Sequence, residues 1–162
     1  MGVEVERKFL VTGAEWKDLV VSSAPIKQGY LLAEPQKVVR VRLFGERAYL
    51  TIKGKQTGFA RPEFEYQIPA TDAADLLRMC SGVVEKTRYD LSVPGAAWTV
   101  DVFEGANAGL SVLEIEDEPG QNRVSDITRT NLPAWVGEEV SEDFAYTNAA
   151  LSKKPFSTWE RA

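Results

Sequence analysis

Residues Val3–Val11 read VEVERKFLV, and this stretch indicates the fold and the site of the whole chain. Successive side chains of a β-strand point to opposite faces. A strand here therefore carries Glu4, Glu6 and Lys8 on one face and apolar side chains on the other. On an outer face these charges would only be solvated, whereas on an inner face they would form a site for a metal and an anion. The other strands indicate which face is inside.

Alternation of apolar and polar residues predicts seven further strands, at residues 26–32, 37–44, 48–55, 61–68, 83–93, 98–103 and 110–117. Seven of the eight strands carry ionisable side chains at alternate positions. The set has seven acids and six bases, namely Glu4, Glu6, Lys8, Arg40, Arg42, Lys53, Glu63, Glu65, Lys86, Arg88, Asp101, Glu114 and Glu116.

Two architectures fit this pattern. An antiparallel sandwich would bury the apolar faces and leave the charges in water. A closed barrel of about eight antiparallel strands would instead enclose the charges around one small ligand. Like charges stand two apart on single strands, as at Arg40 and Arg42, which is unfavourable without counter-ions. Amphipathic helices also need an apolar surface to cover. Both observations favour an α+β, mainly β, protein with a closed eight-stranded barrel, a charged interior and helices packed outside.

Helices are predicted at four places. Thr12 with Glu15 resembles a capping box, and Pro25 would end that helix. Thr71 would cap a second helix, and Ser125 and Ser141 would open two more. The last ten residues read as an irregular tail whose aromatic side chains, Phe156 and Trp159, dock on the body. No linker or repeat interrupts residues 1–162, so one domain is expected.

Composition excludes several kinds of site. The chain of 162 residues has no histidine, which rules out a Ser-His-Asp triad and a His-ligated zinc site. Its single cysteine forms no intramolecular disulfide. The net charge of −5 argues against nonspecific binding to nucleic acid or membrane. No signal peptide or membrane-spanning run is seen, so a cytoplasmic protein is expected.

The charged set itself suggests a ligand. Crowded carboxylates repel one another, and a divalent cation relieves that repulsion. Oxygen ligands without His or Cys indicate a hard ion such as Mg2+ or Mn2+. Arginine and lysine converging from other strands suit an anion with many oxygens, such as phosphate. The sequence therefore predicts a polyphosphate site, although no Walker A motif is present.

The sequence also resembles a known family. EVERK, with Glu4, Glu6 and Lys8, is similar to the ExExK signature of the CYTH superfamily, the triphosphate tunnel metalloenzymes. QGYL, VRVR, LTIKG, FEYQIP, EKTRYDL, VDVFEG and LEIEDE are similar to family segments, in family order. The resemblance covers nearly the whole chain. It implies an eight-stranded antiparallel tunnel, a triphosphate substrate and two-metal chemistry.

By position, the resemblance implies roles for individual residues. The metal ligands would be Glu4, Glu6 and Glu116, supported by Glu114. Phosphate oxygens would be held by Lys8, Arg40, Arg42, Lys53, Lys86 and Arg88, with Glu63, Glu65 and Asp101 close by in the tunnel. Tyr30 in QGYL would either influence which phosphate is attacked or only pack. The chain departs from the family pattern EVTxDxRYxN at Ala145, which replaces an arginine. This change puts closure of one tunnel end or the fit of the substrate in question, but not the metal site.

The implied activity is hydrolysis of a terminal phosphoanhydride, with inorganic tripolyphosphate as the first candidate substrate. The family also contains thiamine and RNA triphosphatases and class IV adenylate cyclases, and the sequence does not exclude these. A noncatalytic polyphosphate- or nucleotide-binding module is the alternative from another class. Seven carboxylates are more than phosphate capture alone requires. The expected partner is a small triphosphate, and the sequence leaves open whether the chain forms a homodimer.

Overall fold

The computed structural model describes residues 2–160, and β-strands make up most of its regular structure. In chain order the nine strands are β1 (Val3–Val11), β2 (Val20–Glu34), β3 (Lys37–Phe44), β4 (Arg47–Lys53), β5 (Ala60–Ile68), β6 (Val83–Leu91), β7 (Ala97–Phe103), β8 (Ser111–Glu116) and β9 (Val136–Glu139). Two α-helices are present in the described residues, α1 (Ala70–Arg78) and α2 (Asn148–Lys153). Between these elements the chain forms several short 3-10 helices.

The first eight strands close into a barrel, as predicted. Their order around the sheet is β5-β4-β3-β2-β6-β7-β8-β1, every neighbouring pair is antiparallel, and β5 also pairs with β1. This closing seam has three residue pairs, in which Val3, Glu4 and Val5 face Pro62, Arg61 and Ala60. The ninth strand extends the sheet by pairing with the end of β1 at Phe9 and Val11. Closure leaves a face inside the cylinder and a face outside it.

The ladder register brings acids opposite bases on the inner face. Lys53 lies opposite Glu63, Lys8 opposite Glu114, Arg88 opposite Asp101, and Glu4 opposite Arg61. Like charges two apart along one strand therefore meet opposite charges on the next strand, which is the favourable cross-strand arrangement. Glu6, in contrast, lies opposite Glu116, so the register relieves only part of the repulsion that the sequence suggested. The charged faces point inward.

Apolar side chains fill the outer face and one end of the cylinder. The largest core cluster covers the outside of β1 and β6–β8 and includes Phe9, Trp98 and Trp135. The helix α1 packs Ala73 and Leu77 on the outer side chains of β3 and β4, as expected. The helix α2 does not lie outside. Its Leu151 packs on Val84, Phe103 and Val112, which stand two residues from inward-facing charged groups, so α2 closes one end of the barrel.

A glycine permits this close approach of α2. A Cβ atom at Gly82, just before β6, would collide with the backbone carbonyl oxygen of Ser152 in α2. Any larger residue would push the helix away from the end of the barrel. The docked tail confirms the expectation for the last residues, since Phe156 and Trp159 pack against the same cluster as Leu151. The final residues of that tail, 161 and 162, lie outside the described residues.

The first predicted helix is wrong. Residues Glu15–Leu19 form only a 3-10 turn, and β2 begins at Val20 and runs through Pro25. Proline is tolerated in a strand that lacks a partner on one side. That condition is met here, because β2 pairs with β6 at Pro25 but meets β3 only from Ile26 onward. The β-branched Val20 and Val21 also favour the extended conformation.

Three other helix boundaries need correction. The helix α1 begins at Ala70 after Pro69, not at Thr71. The stretch opened by Ser125 is not an α-helix but two 3-10 turns followed by β9, because Pro133 cannot donate within a helix. Ser141 opens no helix, and its hydroxyl accepts a hydrogen bond from the backbone N–H of Lys8 at 2.9 Å. Within residues 2–160, no helix combines the length and the apolarity needed to cross a membrane.

Candidate active site

The inner faces of the barrel enclose a cavity of about 250 Å³. Its wall has equal numbers of acids and bases. The lining acids are Glu4, Glu6, Glu63, Glu65, Glu114 and Glu116, and the lining bases are Lys8, Arg40, Arg42, Lys53, Arg61 and Arg88. The other lining residues are Tyr30, Val38, Gln56, Phe59, Val140, Ser141, Thr147, Asn148 and Ala149. The sequence therefore identified eleven of the twelve charged groups, and Arg61 is the addition.

Three carboxylates at one side of the cavity form the acidic cluster, defined as Glu4, Glu63 and Glu116. One oxygen from each lies within 4.8 Å of the others. The Lys53 ammonium lies 2.8 Å from Glu4 and 3.4 Å from Glu63, so a cationic group already lies against two of the three acids. Carboxylate oxygens at this separation suit a hard divalent ion. The residues present therefore fit a metal site.

This cluster differs in membership from the ligand set that the sequence suggested. It contains Glu4 and Glu116 but takes Glu63 in place of Glu6 and Glu114. Glu6 and Glu114 lie beside them in the wall, where Lys8 is 4.0 Å from Glu6 and Arg88 is 3.6 Å from Glu114. The roles of these two acids as metal ligands stay a prediction.

The three carboxyl groups of the acidic cluster differ in how their pKa values are shifted. Burial opposes ionisation of Glu4, but the nearby Lys53 lowers the pKa of Glu4 below its ordinary value. Burial and the neighbouring Glu4 raise the pKa of Glu63. Burial, together with Glu4, Glu114 and Glu63, raises the pKa of Glu116 to about 7. A cation bound here would displace that proton, so metal affinity and pH are linked.

We expect Glu116 to make the metal-free protein less stable as pH rises. Between the ordinary glutamate pKa of 4.5 and about 7, the folded state binds a proton that the unfolded state has lost. The free energy of unfolding then falls with increasing pH. In EDTA, the melting temperature of the wild-type protein should therefore decrease relative to that of Glu116→Gln between about pH 5 and pH 8.

The matched control for this experiment is Glu15→Gln, because Glu15 is exposed and lies outside the cavity. Its melting temperature should follow that of the wild-type protein at every pH. A constant difference between wild type and Glu116→Gln across this range would contradict the raised pKa.

Glu6 and Glu114, the two acids beside the acidic cluster, have pKa values that are shifted in opposite directions. Burial, with Glu4 and Glu114 nearby, raises the pKa of Glu6 well above its ordinary value. Burial also acts on Glu114, but Arg88 and Lys8 outweigh it and lower the pKa of Glu114 well below the ordinary value. The neighbours of Glu6 and Glu114 therefore shift the pKa values of these two acids in opposite directions. Such a division is typical of crowded functional carboxylates.

The basic side of the cavity is built on β3. Arg40 donates from Nη2 to Thr51 Oγ1 at 3.1 Å and to Glu65 Oε2 at 3.3 Å, while its buried Nε has no partner among the described residues. Arg42 donates to Gln28 Oε1 at 2.8 Å. Burial, with Arg40 and Arg88 nearby, lowers the pKa of Arg42 to about 9. An anion between these arginines would relieve their repulsion.

Tyr30 is buried rather than exposed. Its side chain lines the cavity, and its hydroxyl accepts a hydrogen bond from Gln28 Nε2 at 2.8 Å. Gln28 therefore connects Tyr30 to Arg42, because its carbonyl oxygen accepts from that arginine. The sequence left open whether Tyr30 influences which phosphate is attacked or only packs. Its position inside the wall fits a contact with a bound ligand, and that role stays a prediction.

Two predicted site residues lie behind the wall. Lys86 and Asp101 are each 1% exposed and do not line the cavity. Asp101 accepts from Lys86 at 2.7 Å and from both Nε and Nη2 of Arg88 at 2.8 Å. Lys86 also donates to Asn148 at 3.0 Å, which joins this group to α2. The pair supports Arg88, which does face the cavity.

Arg7 has a structural role that its sequence does not suggest. The sequence around Arg7 indicates no more than surface charge. In the structure Arg7 forms a fork on Glu139 at 2.7 and 2.8 Å and donates to the carbonyl oxygens of Val124 and Ile127. Its guanidinium also stacks on Phe59, a cavity-lining residue, 4.7 Å from the ring centre. No pattern in the sequence around Arg7 indicates these distant partners.

Ala145 lies away from the cavity. It is exposed in the 3-10 turn before α2, and its backbone N–H donates to Asp143 at 3.1 Å. The neighbouring Thr147 and Asn148 do line the cavity. Ala145 itself therefore contributes no side chain to the wall.

Comparisons with known proteins agree with this geometry. A family model for the CYTH domain matches residues 2–139. An inorganic triphosphatase from Acetivibrio thermocellus is 41% identical over 162 residues, covering 99% of both chains. Another, from Nitrosomonas europaea, is 36% identical over 92% of this chain and 96% of its own.

Solved structures show the same fold. The crystal structure of the inorganic triphosphatase NE1496 has a TM-score of 0.64 at 35% identity, covering 92% of this chain and 93% of that chain. The PH1012 protein from Pyrococcus horikoshii has a TM-score of 0.64 at 20% identity, covering 82% of this chain and 93% of that chain. The second likeness concerns the fold alone.

Proposed function

The chain belongs to the CYTH domain family, and from this premise we propose that it is a metal-dependent triphosphatase. It hydrolyses the terminal phosphoanhydride of a triphosphate, and inorganic tripolyphosphate is the substrate we propose. The curated relatives from two bacteria are inorganic triphosphatases and match nearly the whole chain. The reaction releases phosphate and leaves pyrophosphate.

One observation supports this proposal most directly. A single cavity of about 250 Å³ contains both the acidic cluster and the arginines of β3. A divalent ion requires the carboxylate oxygens, and phosphate requires the guanidinium groups. A triphosphate bound together with its cation needs both kinds of group in one cavity. Few other small ligands would use six acids and six bases in one wall.

The proposed roles follow from position in the wall. The acidic cluster of Glu4, Glu63 and Glu116 would hold the ion. A bound divalent ion offsets charge on phosphate oxygens and activates water for attack on phosphorus. Lys8, Arg40, Arg42, Lys53 and Arg88 orient the phosphate chain and stabilise charge that spreads over the transferred group. Lys86 and Asp101 position Arg88 from behind the wall.

Some features are proposed here from chemistry and composition alone. The oxygen-only ligands favour Mg2+ or Mn2+, and the number of acids suits two ions. The balanced charge of the wall and the protein's net charge of −5 favour a small-molecule partner over nucleic acid or membrane. We also propose a cytoplasmic location and a single domain over residues 1–162. Whether the chain forms a homodimer stays a question for solution measurement.

A substrate panel tests the function. The purified protein is incubated with tripolyphosphate, ATP, thiamine triphosphate or long-chain polyphosphate, with Mg2+, Mn2+ or EDTA. We expect the fastest phosphate release from tripolyphosphate, and none in EDTA. Faster turnover of ATP, or formation of cyclic AMP, would replace tripolyphosphate as the substrate. Tight tripolyphosphate binding with no phosphate release under any metal would indicate a noncatalytic binding module instead.

A further inference from the structure

Arg61 lies at the beginning of β5, where the closing seam brings β5 against β1. Alternation puts its side chain on the same inward face as Glu63 and Glu65, and the register puts it opposite Glu4. It forms part of the cavity wall. Arg61 therefore stands beside the acidic cluster, at the point where the barrel closes.

The guanidinium of Arg61 uses one of its five N–H donors. Its Nε donates to the carbonyl oxygen of Gly54 at 2.6 Å, which fixes the plane of the group. Among residues 2–160, the buried Nη2 of Arg61 has no hydrogen-bond acceptor. Buried donors are rarely left without a partner, and each such group costs free energy. The unused donors therefore point to an acceptor that the protein itself does not supply.

The other bases of the wall differ from Arg61 in having a side-chain oxygen within 4.0 Å. Within the described part of the chain, each of those five contacts an oxygen of a neighbouring side chain: Lys8 of Glu6, Arg40 of Glu65, Arg42 of Gln28, Lys53 of Glu4, and Arg88 of Asp101. Arg61 contacts only a backbone carbonyl.

We propose that Arg61 binds substrate, with its terminal amino groups donating to phosphoryl oxygens of the triphosphate next to the acidic cluster. This inference rests on the proposed function and adds a residue to it. A planar fork with one edge fixed by Gly54 suits two phosphoryl oxygens. Its position opposite Glu4 places the contacted phosphate at the end of the chain that the metal ion would also reach. Arg61 thus would help to hold the phosphate that is attacked.

Two substitutions and a control test this role. Arg61→Ala removes the fork and the bond to Gly54. Arg61→Lys keeps the positive charge and a donor for Gly54 but loses the second arm. Arg47→Ala is the control, because Arg47 is an exposed arginine outside the cavity. For each protein, the Kd for tripolyphosphate is measured by calorimetry in EDTA, and KM is measured with Mg2+.

We expect Arg61→Ala to raise the Kd about tenfold or more and Arg61→Lys to raise it several-fold, because a lost hydrogen bond to a charged group has an effect of this size. Arg47→Ala should leave the Kd unchanged. A lower melting temperature with an unchanged Kd would assign Arg61 to structure alone and overturn the inference. Where Arg61→Ala does not fold, a wild-type Kd and KM in Arg61→Lys would overturn it equally.

The binding measurement also separates this inference from the proposed function. A wild-type protein that binds tripolyphosphate but releases no phosphate would contradict the triphosphatase activity and leave the Kd comparison decisive for Arg61. A wild-type protein that hydrolyses tripolyphosphate while Arg61→Ala matches its Kd and KM would contradict only the role of Arg61. A wild-type protein that binds no tripolyphosphate would overturn both.

Discussion

Glu4→Gln is expected to lower metal-dependent phosphate release by about two to three orders of magnitude, the effect seen when one group that stabilises a transition state is removed. Glu4 belongs to the acidic cluster and is 7% exposed. Glutamine has nearly the same shape and keeps an oxygen that can accept from Lys53. The fold should therefore survive while the charge that attracts a divalent ion is lost.

Three measurements check this expectation. Phosphate release from tripolyphosphate is followed with Mg2+ and with Mn2+, Mn2+ binding is measured by calorimetry, and the melting temperature reports on the fold. Glu15→Gln, on an exposed 3-10 turn, is the matched control and should retain wild-type rates. Normal turnover in Glu4→Gln would contradict the assignment of the acidic cluster as the metal site.

Of the variants proposed for this protein, Asp101→Asn should lower the free energy of unfolding the most. Asp101 is the anion for two cations, Lys86 and Arg88, in a region closed to solvent. Removing one partner of a buried ionic group leaves the remaining charges uncompensated and typically costs about 3–5 kcal/mol. The asparagine would also release Arg88 from its fixed orientation, so the KM for tripolyphosphate should rise even though Asp101 does not line the cavity.

The matched control is Asp90→Asn on the same hairpin. Asp90 accepts from Ser22 at 2.7 Å near the surface, and its loss should lower the free energy of unfolding by about 1 kcal/mol or less. Denaturant unfolding of both variants gives the comparison. If Asp101→Asn and Asp90→Asn lower the free energy of unfolding equally, the buried ionic group does not contribute more to stability than the surface hydrogen bond.

The inward charges were predictable because strand alternation is a local property. VEVERKFLV specifies by itself which of its side chains share a face, and the same holds for VRVR and for the strand with Glu63 and Glu65. The membership of the acidic cluster was not predictable in this way. Glu63 joins Glu4 because the seam between β1 and β5 has one particular register, and that register depends on closure of the whole barrel.

Two further misses have the same physical origin. Arg7 has ordinary neighbours in the sequence, and its partner Glu139 is 132 positions away. The helix predicted after Thr12 rests on the spacing of Thr12 and Glu15, which also suits a 3-10 turn that leads into a strand. Side-chain spacing over so short a stretch does not distinguish the two, and pairing of β2 with β6 decides the outcome.

The equal numbers of acids and bases in the wall have a consequence for uptake. A free phosphate chain or a free divalent cation would each unbalance the wall, because it would displace ion pairs such as Lys53 with Glu4 and leave one member without its partner. When a phosphate chain enters together with its cations, the phosphates pair with the bases of the wall and the cations pair with its acids. The net charge of the interior then hardly changes. The protein should therefore bind the phosphate chain more tightly together with its cations than without them, although the free chain still binds.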